Sequence, residues 1–157
     1  MKHNKARFQQ MCDKLKSKQY KLTPQRMSIL KILSERTDHP NSDTIYIALK
    51  KDLPTTSPAT VYKTLGVLKN LNEVLEIPYG NESNRYDGVN PNPHPHIYCK
   101  KCRIFSDLTL LKYDQLLQEV KKQTGYEIHS LNLLIEGICP DCQKISKEIS
   151  ENSFPIY

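Results

Sequence analysis

An aspartate, two histidines and two cysteines fall within the eighteen residues 85 to 102, RYDGVNPNPHPHIYCKKC. Ordinary core or loop sequence does not concentrate metal-ligating side chains in this way, and the stretch reads as two metal sites sharing one ribbon. Pro91, Pro93 and Pro95 favour an extended backbone, because each ring fixes φ near the polyproline value and biases the preceding residue, His94 included, away from the helical region. On an extended strand His94 and His96 point to one face, and Cys99, an odd number of residues further on, points to the other. One face therefore offers nitrogen and the other sulfur.

The sulfur face has a partner further along the chain. Cys99 and Cys102 enclose two residues, as do Cys139 and Cys142, with 36 residues between the pairs. Each CxxC turn presets two thiolates for one tetrahedral ion, and two such turns complete a four-cysteine zinc site with no open coordination position. The expected role is structural: zinc would hold a small β-containing domain and its C-terminal helix together. The fifth cysteine, Cys12, lies in an amphipathic pattern and reads as a small core residue.

The elements that must position these groups follow from periodicity and capping. Phe8, Met11, Cys12 and Leu15 fall at helical spacing in a helix over residues 5 to 18. Thr23 before Pro24 is an N-cap followed by proline at the first helical position, opening a helix to about Glu35 that buries Met27, Ile29, Leu30, Ile32 and Leu33. The loop after it carries His39. Asn41 or Ser42 caps a third helix with Ile45, Ala48 and Leu49 inward, ending before Leu53. Ser57 and Pro58 repeat the cap-then-proline signal for a fourth helix to about residue 71, which buries Val61, Leu65, Leu68 and Leu71 and leaves Thr60, Lys63 and Thr64 on the other side, with Tyr62 at the border.

Two helices joined by a short turn, the second opening with small and hydroxyl residues and then Tyr and Lys, form the helix-turn-helix layout whose second helix enters the major groove. Ser57, Thr60, Tyr62 and Lys63 are the candidate DNA-facing residues. Segments 74 to 78 and 83 to 87, joined across residues 79 to 82, read as a hairpin, making a winged helix. Beyond Asp87 come strands at about 94 to 99, 103 to 108 and 127 to 136 and a helix at 111 to 123 carrying Leu116, Leu117 and Val120. The last strand is expected to be central in its sheet or to pair across a dimer. The expected fold is α+β: a winged helix-turn-helix domain at 1 to 86, a hinge at 87 to 92, and a small α/β metal-binding and dimerisation domain at 93 to 157.

Composition agrees with a basic front and a neutral back. The 157 residues are 38% apolar and 25% charged, a globular composition, with net charge +6. Residues 1 to 80 hold 14 Lys and Arg against 7 Asp and Glu, whereas residues 81 to 157 hold 9 against 10. The front half is the one that would approach a polyanion. No run of 18 apolar residues suits a membrane span, and the polar start MKHNKARFQQ lacks the apolar core of a signal peptide. A cytoplasmic protein is expected, where five cysteines are not a disulfide framework and the four paired as CxxC read as metal ligands.

Taken together, LTPQR at 22 to 26, HPNSDTIYIAL at 39 to 49, SPATVYKTL at 57 to 65, RYD at 85 to 87, HPHIYCKKC at 94 to 102, Asp107 and CPDC at 139 to 142 resemble the ferric uptake regulator superfamily of bacterial metal-dependent repressors, and most closely its peroxide-sensing branch. The resemblance spans nearly the whole chain. It implies a regulatory Fe2+ or Mn2+ held by His39, Asp87, His94, His96 and Asp107, one per subunit beside one structural Zn2+, in a homodimer that binds an inverted-repeat operator. Imidazole and carboxylate suit such ions, unlike the all-thiolate site. Aspartate at both carboxylate positions is the pattern of peroxide sensors, in which iron promotes oxidation of a ligand histidine, here His39 or His94, and the operator is released. That is a single-use reaction, so no enzyme is expected.

The chain departs from the family pattern in three places: one extra residue between Asp87 and His94, prolines on both sides of His94, and Lys63 where arginine is frequent, a point charge replacing a planar fork. His129 reads as a strand residue and His3 as a solvated tail. The nearest rival is an iron- or zinc-uptake repressor of the same fold without peroxide chemistry. A zinc enzyme is disfavoured because the all-cysteine site is closed and no HisxGlu or HisGluxxHis stands near it. A zinc-ribbon interaction module would leave SPATVYKTL and the basic front half unexplained.

Overall fold

The computed structural model describes residues 2–80, 83–110, 112–129 and 131–151, and the side chains of residues 5–145 among them. The side chain of His3 and residues Asn81, Glu82, Leu111 and Ser130, which fall in expected elements, lie outside the described residues. The chain divides into two compact units, Met1–Asn92 and Pro93–Tyr157.

The first unit is a winged helix. Helices α1 (Lys2–Ser17), α2 (Pro24–Glu35), α3 (Ser42–Lys50) and α4 (Pro58–Asn70) precede an antiparallel pair, β1 (Leu75–Ile77) and β2 (Arg85–Asp87), registered Leu75 opposite Asp87 and Ile77 opposite Arg85. Met11, Cys12 and Leu15 of α1 close on Ile29, Leu30 and Leu33 of α2, Ile45 and Leu49 of α3, and Val61, Leu65 and Leu68 of α4, with Val74 and Tyr86 completing the core. Cys12 is thus a core residue. The caps act as their residue types dictate: Thr23 Oγ1 accepts from Arg26 N at 3.3 Å, and Asn41 Oδ1 from Thr44 N at 2.8 Å.

Four expectations need correction here. Met27 is 41% exposed, because the α2 face that meets the core is set by Ile29, Leu30 and Leu33. Thr64 is buried rather than outward: its hydroxyl donates to the Thr60 carbonyl at 2.8 Å, which satisfies the polar atom inside the helix and lets the side chain stand with Val61 and Leu68. Ser57 occupies the N-cap position of α4 but makes no capping bond, its hydroxyl lying 3.2 Å from that of Thr60. The wing strands are three residues each, shorter than expected, β1 ending where Pro78 has no N–H to give the ladder.

The wing carries its own small polar network. Glu76 accepts from Asn84 Nδ2 at 2.9 Å, from the Tyr86 hydroxyl at 3.2 Å and from Lys69 Nζ. Burial works to raise the Glu76 pKa, but the bonds from Lys69 and Asn84 and the lysine charge outweigh it and hold the carboxyl below its ordinary range. Burial, together with the charge of Glu76, pushes the Tyr86 phenol up to about 12. A carboxylate with a lowered pKa contributes stability that is full above the unfolded-state value and is lost as pH falls through the folded value. Glu76→Gln is therefore expected to flatten the acid side of the first unit's urea-midpoint profile, by about 1 kcal/mol or less given its partial exposure. An acid limb identical to that of the parent chain contradicts it.

The second unit is a three-stranded sheet with two helices. Its strands β3 (His96–Cys99), β4 (Phe105–Asp107) and β5 (Leu134–Gly137) take the order β4-β3-β5, β3 running antiparallel to β4 and parallel to β5, with α5 (Tyr113–Thr124) between β4 and β5 and α6 (Pro140–Glu151) last. The segment expected as a strand at 127 to 136 pairs only from Leu134, and at the edge of the sheet; β3 is the central strand. Its first half, EIHSLN, carries polar residues too often to bury one face. Helix α5 buries no side chain within the chain: Leu116 and Val120 are 42% and 40% exposed, since a sheet of strands this short offers little surface to cover them. No helix among the described residues is long and apolar enough to cross a membrane.

Candidate metal centres and the exposed face of helix α4

The two CxxC turns meet because β3 and β5 end side by side. Cys99, last in β3, is registered opposite Gly137, last in β5, and Lys100 N donates to the Gly137 carbonyl at 2.9 Å. Each strand then turns into its cysteines: Cys99 and Cys102 close one loop, with Arg103 N donating back to the Cys99 carbonyl at 2.8 Å, while Cys139 precedes α6 and Cys142 stands in its first turn. The four sulfurs lie within 4.8 Å of one another, and Cys102 and Cys139 Sγ are 3.8 Å apart. A tetrahedral zinc with Zn–S bonds of about 2.3 Å separates its sulfurs by about 3.8 Å.

The electrostatics fit a thiolate-bound ion. Backbone amides of Cys102 and Cys139 aim at the Cys99 sulfur, the latter at 3.3 Å, and lower its pKa to about 6. Desolvation, reinforced by the neighbouring sulfurs, pushes Cys142 up to about 12. One sulfur is thus poised as thiolate while another needs a cation to lose its proton, which is what zinc supplies. All five cysteines are free of disulfides.

A nitrogen and oxygen half-site lies in the first unit. His39 and Asp87 are each 1% exposed, with His39 Nε2 3.7 Å from Asp87 Oδ2. His39 Nδ1 is 2.8 Å from the Thr37 carbonyl, an oxygen that can only accept, so the ring proton sits on Nδ1 and Nε2 presents its lone pair. The histidine stands at φ 52, a left-handed conformation that costs a non-glycine residue on the order of 1 kcal/mol and tends to mark ligand clamps. Asp87 Oδ1 accepts from Val89 N at 2.8 Å and Asn90 N at 3.0 Å, which fixes the carboxylate, and Tyr86 N donates to the Pro40 carbonyl at 3.1 Å, tying β2 to the loop of His39.

A second set lies in the second unit. The rings of His94 and His96 are 4.2 Å apart, on one side of the chain as the parity of the ribbon requires. The register of β3 with β4 sets Asp107 opposite His96, and Asp107 Oδ1 is 3.0 Å from His94 Nε2 and 3.8 Å from His96 Nε2. The flanking prolines do not disturb this: Pro95 lacks an N–H but its carbonyl accepts from Leu108 N at 2.9 Å, prolonging the pairing. Imidazoles and carboxylates so arranged have the donor chemistry of Fe(II), Mn(II) or Zn(II). His129 is exposed and belongs to neither ligand group among the described residues.

Of the residues expected to face DNA, Ser57 and Lys63 are exposed, Tyr62 is 54% exposed and Thr60 is half-buried. Sequence reasoning missed the Ser42 hydroxyl, which donates to Tyr62 Oη at 3.1 Å and links the first turn of α3 to α4. It also missed Arg7, whose place one turn before Met11 on the buried stripe of α1 was the available signal.

A winged helix followed by a small sheet domain, with a closed cluster of four cysteines in the second unit and His/Asp ligands in both, defines a class of metal-binding regulator. Residues 17–136 match the model of the ferric uptake regulator family, and the chain belongs to that family of metal-responsive transcriptional regulators, which are not enzymes. The peroxide-responsive repressor PerR of Staphylococcus saprophyticus is 37% identical over 129 residues, 82% of this chain and 86% of that protein. The crystal structure of the Campylobacter jejuni peroxide stress regulator is 36% identical, with a TM-score of 0.64 over 76% of this chain and 89% of that one. The Helicobacter pylori ferric uptake regulator, 20% identical, shares the fold with a TM-score of 0.73 over 89% and 93% of the two chains.

Proposed function

We propose that the chain is a peroxide-sensing, metal-dependent repressor acting as a cytoplasmic homodimer on inverted-repeat DNA. In this reading His39 and Asp87 join His94, His96 and Asp107 around one regulatory Fe(II) or Mn(II) per subunit, residues 87 to 92 serve as the hinge, and the ion selects the DNA-binding arrangement from the ensemble. The observation that carries it is the Asp107 carboxylate within 3.0 and 3.8 Å of two histidine nitrogens in the second unit, together with a His39–Asp87 pair in the first whose tautomer and carboxylate are already fixed. The likeness to two peroxide-responsive regulators at 37% and 36% identity supports the peroxide readout over plain metal sensing.

Iron bound there would supply the reduction of hydrogen peroxide that places one peroxide oxygen on an adjacent imidazole, the other leaving as water. His39 and His94 are the residues proposed to receive it. An oxidised imidazole is a poorer ligand, so the two units are released from one another and the DNA with them. Helix α4 makes the DNA contacts through Ser57, Thr60, Tyr62 and Lys63, the lysine acting on phosphate more than on base edges. An iron- or zinc-uptake repressor remains the second reading, favoured by the same donor set, which also suits those ions.

Duplexes enriched from a random pool with Mn(II)-loaded protein test the metal dependence. Binding to them is expected to fall at least tenfold on chelation of the regulatory ion, and Asp107→Ala is expected to bind weakly with or without Mn(II). Equal binding by the parent chain in Mn(II) and in chelator overturns the reading.

A further inference from the structure

Arg7 is 8% exposed and uses three of its donors at once: Nε to the Gly88 carbonyl at 2.7 Å, one terminal nitrogen to Glu73 Oε2 at 2.6 Å and the other to the Glu73 carbonyl at 2.8 Å. A guanidinium is the side chain that can do this, since its planar fork directs several fixed donors. One contact would fasten α1 to the turn after α4. The bond to Gly88 goes further, because Gly88 follows Asp87 directly and Asp87 is half of the first ligand set.

The backbone at Gly88 is held from the other side as well. A Cβ built there would stand 2.7 Å from Leu33 Cβ and 2.8 Å from the Leu33 carbonyl oxygen, so only glycine lets the chain lie this close to α2. Leu33 is near the end of the helix that leads into the loop of His39. Gly88 is therefore clamped between Arg7 and the α2 backbone, and the Gly88–Val89 peptide whose carbonyl Arg7 holds is the one whose N–H, with that of Asn90, fixes the Asp87 carboxylate. Groups that orient a metal ligand in this manner are worth about 10- to 100-fold in metal affinity.

From this clamp we infer that Arg7 is a positioning residue for the regulatory metal: with Gly88 it sets where the Asp87 carboxylate stands relative to His39, and so sets the affinity of the ion. The inference rests on the metal reading of His39 and Asp87. It places part of the control of metal affinity on α1, far in sequence from every ligand.

The experiment uses the full chain with zinc in its cysteine site and Mn(II) titrated by the loss of its free-ion electron paramagnetic resonance signal. Arg7→Ala is expected to weaken Mn(II) binding about tenfold or more, and also to lower the melting temperature, since it leaves the Glu73 carboxylate buried without its partner. The double variant Arg7→Met with Glu73→Met removes both charges and is expected to recover most of the melting temperature while binding Mn(II) as weakly as the single variant. Leu65→Ala, a core truncation outside the clamp, is expected to lower the melting temperature and leave Mn(II) affinity unmoved. Gly88→Ala is expected to weaken Mn(II) with Arg7 intact. Mn(II) affinity within twofold of the parent chain in the double variant overturns the inference and leaves Arg7 a stability residue. Failure of the parent chain itself to take up Mn(II), or uptake unchanged by His39→Ala, defeats the metal reading beneath it.

Discussion

Replacing Cys99 by serine is expected to unfold the second unit and abolish the dimer while the winged helix persists. The physical argument is one of magnitudes. Apart from two of its cysteines, the buried apolar side chains described in that unit are Pro95, Tyr98 and Phe105, the last two with rings 4.7 Å apart. At about 1.5–3 kcal/mol for each buried side chain they offset the ordering of few residues. Structural zinc contributes an apparent 10 to 16 kcal/mol in small modules, comparable with the roughly 5 to 15 kcal/mol that holds a whole domain. The first unit has a continuous core drawn from all four of its helices and needs no such help. Circular dichroism should keep most of its helical signal in Cys99→Ser, size-exclusion chromatography should lose the dimer, and the bound zinc should drop to background. A zinc-free dimer with an unchanged melting temperature contradicts the assignment of the cysteines as scaffold.

The second large effect expected is chemical. Fe(II)-loaded protein on its DNA should release it on addition of hydrogen peroxide at a few equivalents, and the Mn(II)-loaded protein, with the same residues and the same DNA, should not. The difference lies in the redox behaviour of the ion and not in the ligand set, which is why the two forms serve as each other's control. His39 and His94 differ in surroundings: His39 is nearly sealed from solvent and held by the Thr37 carbonyl, whereas the His94 side chain is 12% exposed beside the exposed carboxylate of Asp107. Asp107→Ala, which removes the oxygen shared by His94 and His96, should abolish peroxide sensitivity together with metal-dependent binding. Release of both metal forms by peroxide alike would point instead to oxidation of thiols, and would be reversed by a reductant.

Much of this was legible because the signals are local. Thr23 with Pro24 marks a boundary that the cap confirms to the residue, and of the two candidates Asn41 and Ser42 the cap of α3 is Asn41, since a cap is a property of three or four neighbours. The parity of His94, His96 and Cys99 survives three prolines because alternation on an extended chain does not depend on what packs against it. The pairing of the CxxC turns was legible through spacing alone. What failed depends on distant partners. Thr64 reads as polar and outward until the Thr60 carbonyl is seen to satisfy it. The described residues of 127 to 133 lie outside the ladder, only the Leu133 carbonyl reaching β3 through the His96 amide, and no side chain of α5 is buried among the described residues. Arg7 reads as one more cation on a basic helix, and its three bonds reach Glu73 and Gly88 across the fold.

The central claim, that a regulatory ion held by His39, Asp87, His94, His96 and Asp107 converts peroxide into loss of DNA binding, is met most directly by peptide mass spectrometry of the Fe(II) form at the moment of release. One added oxygen on the histidine of the peptide containing His39 or His94, absent from the Mn(II) form treated alike, is the expected result. DNA released from the Fe(II) form with both histidines unmodified would contradict it.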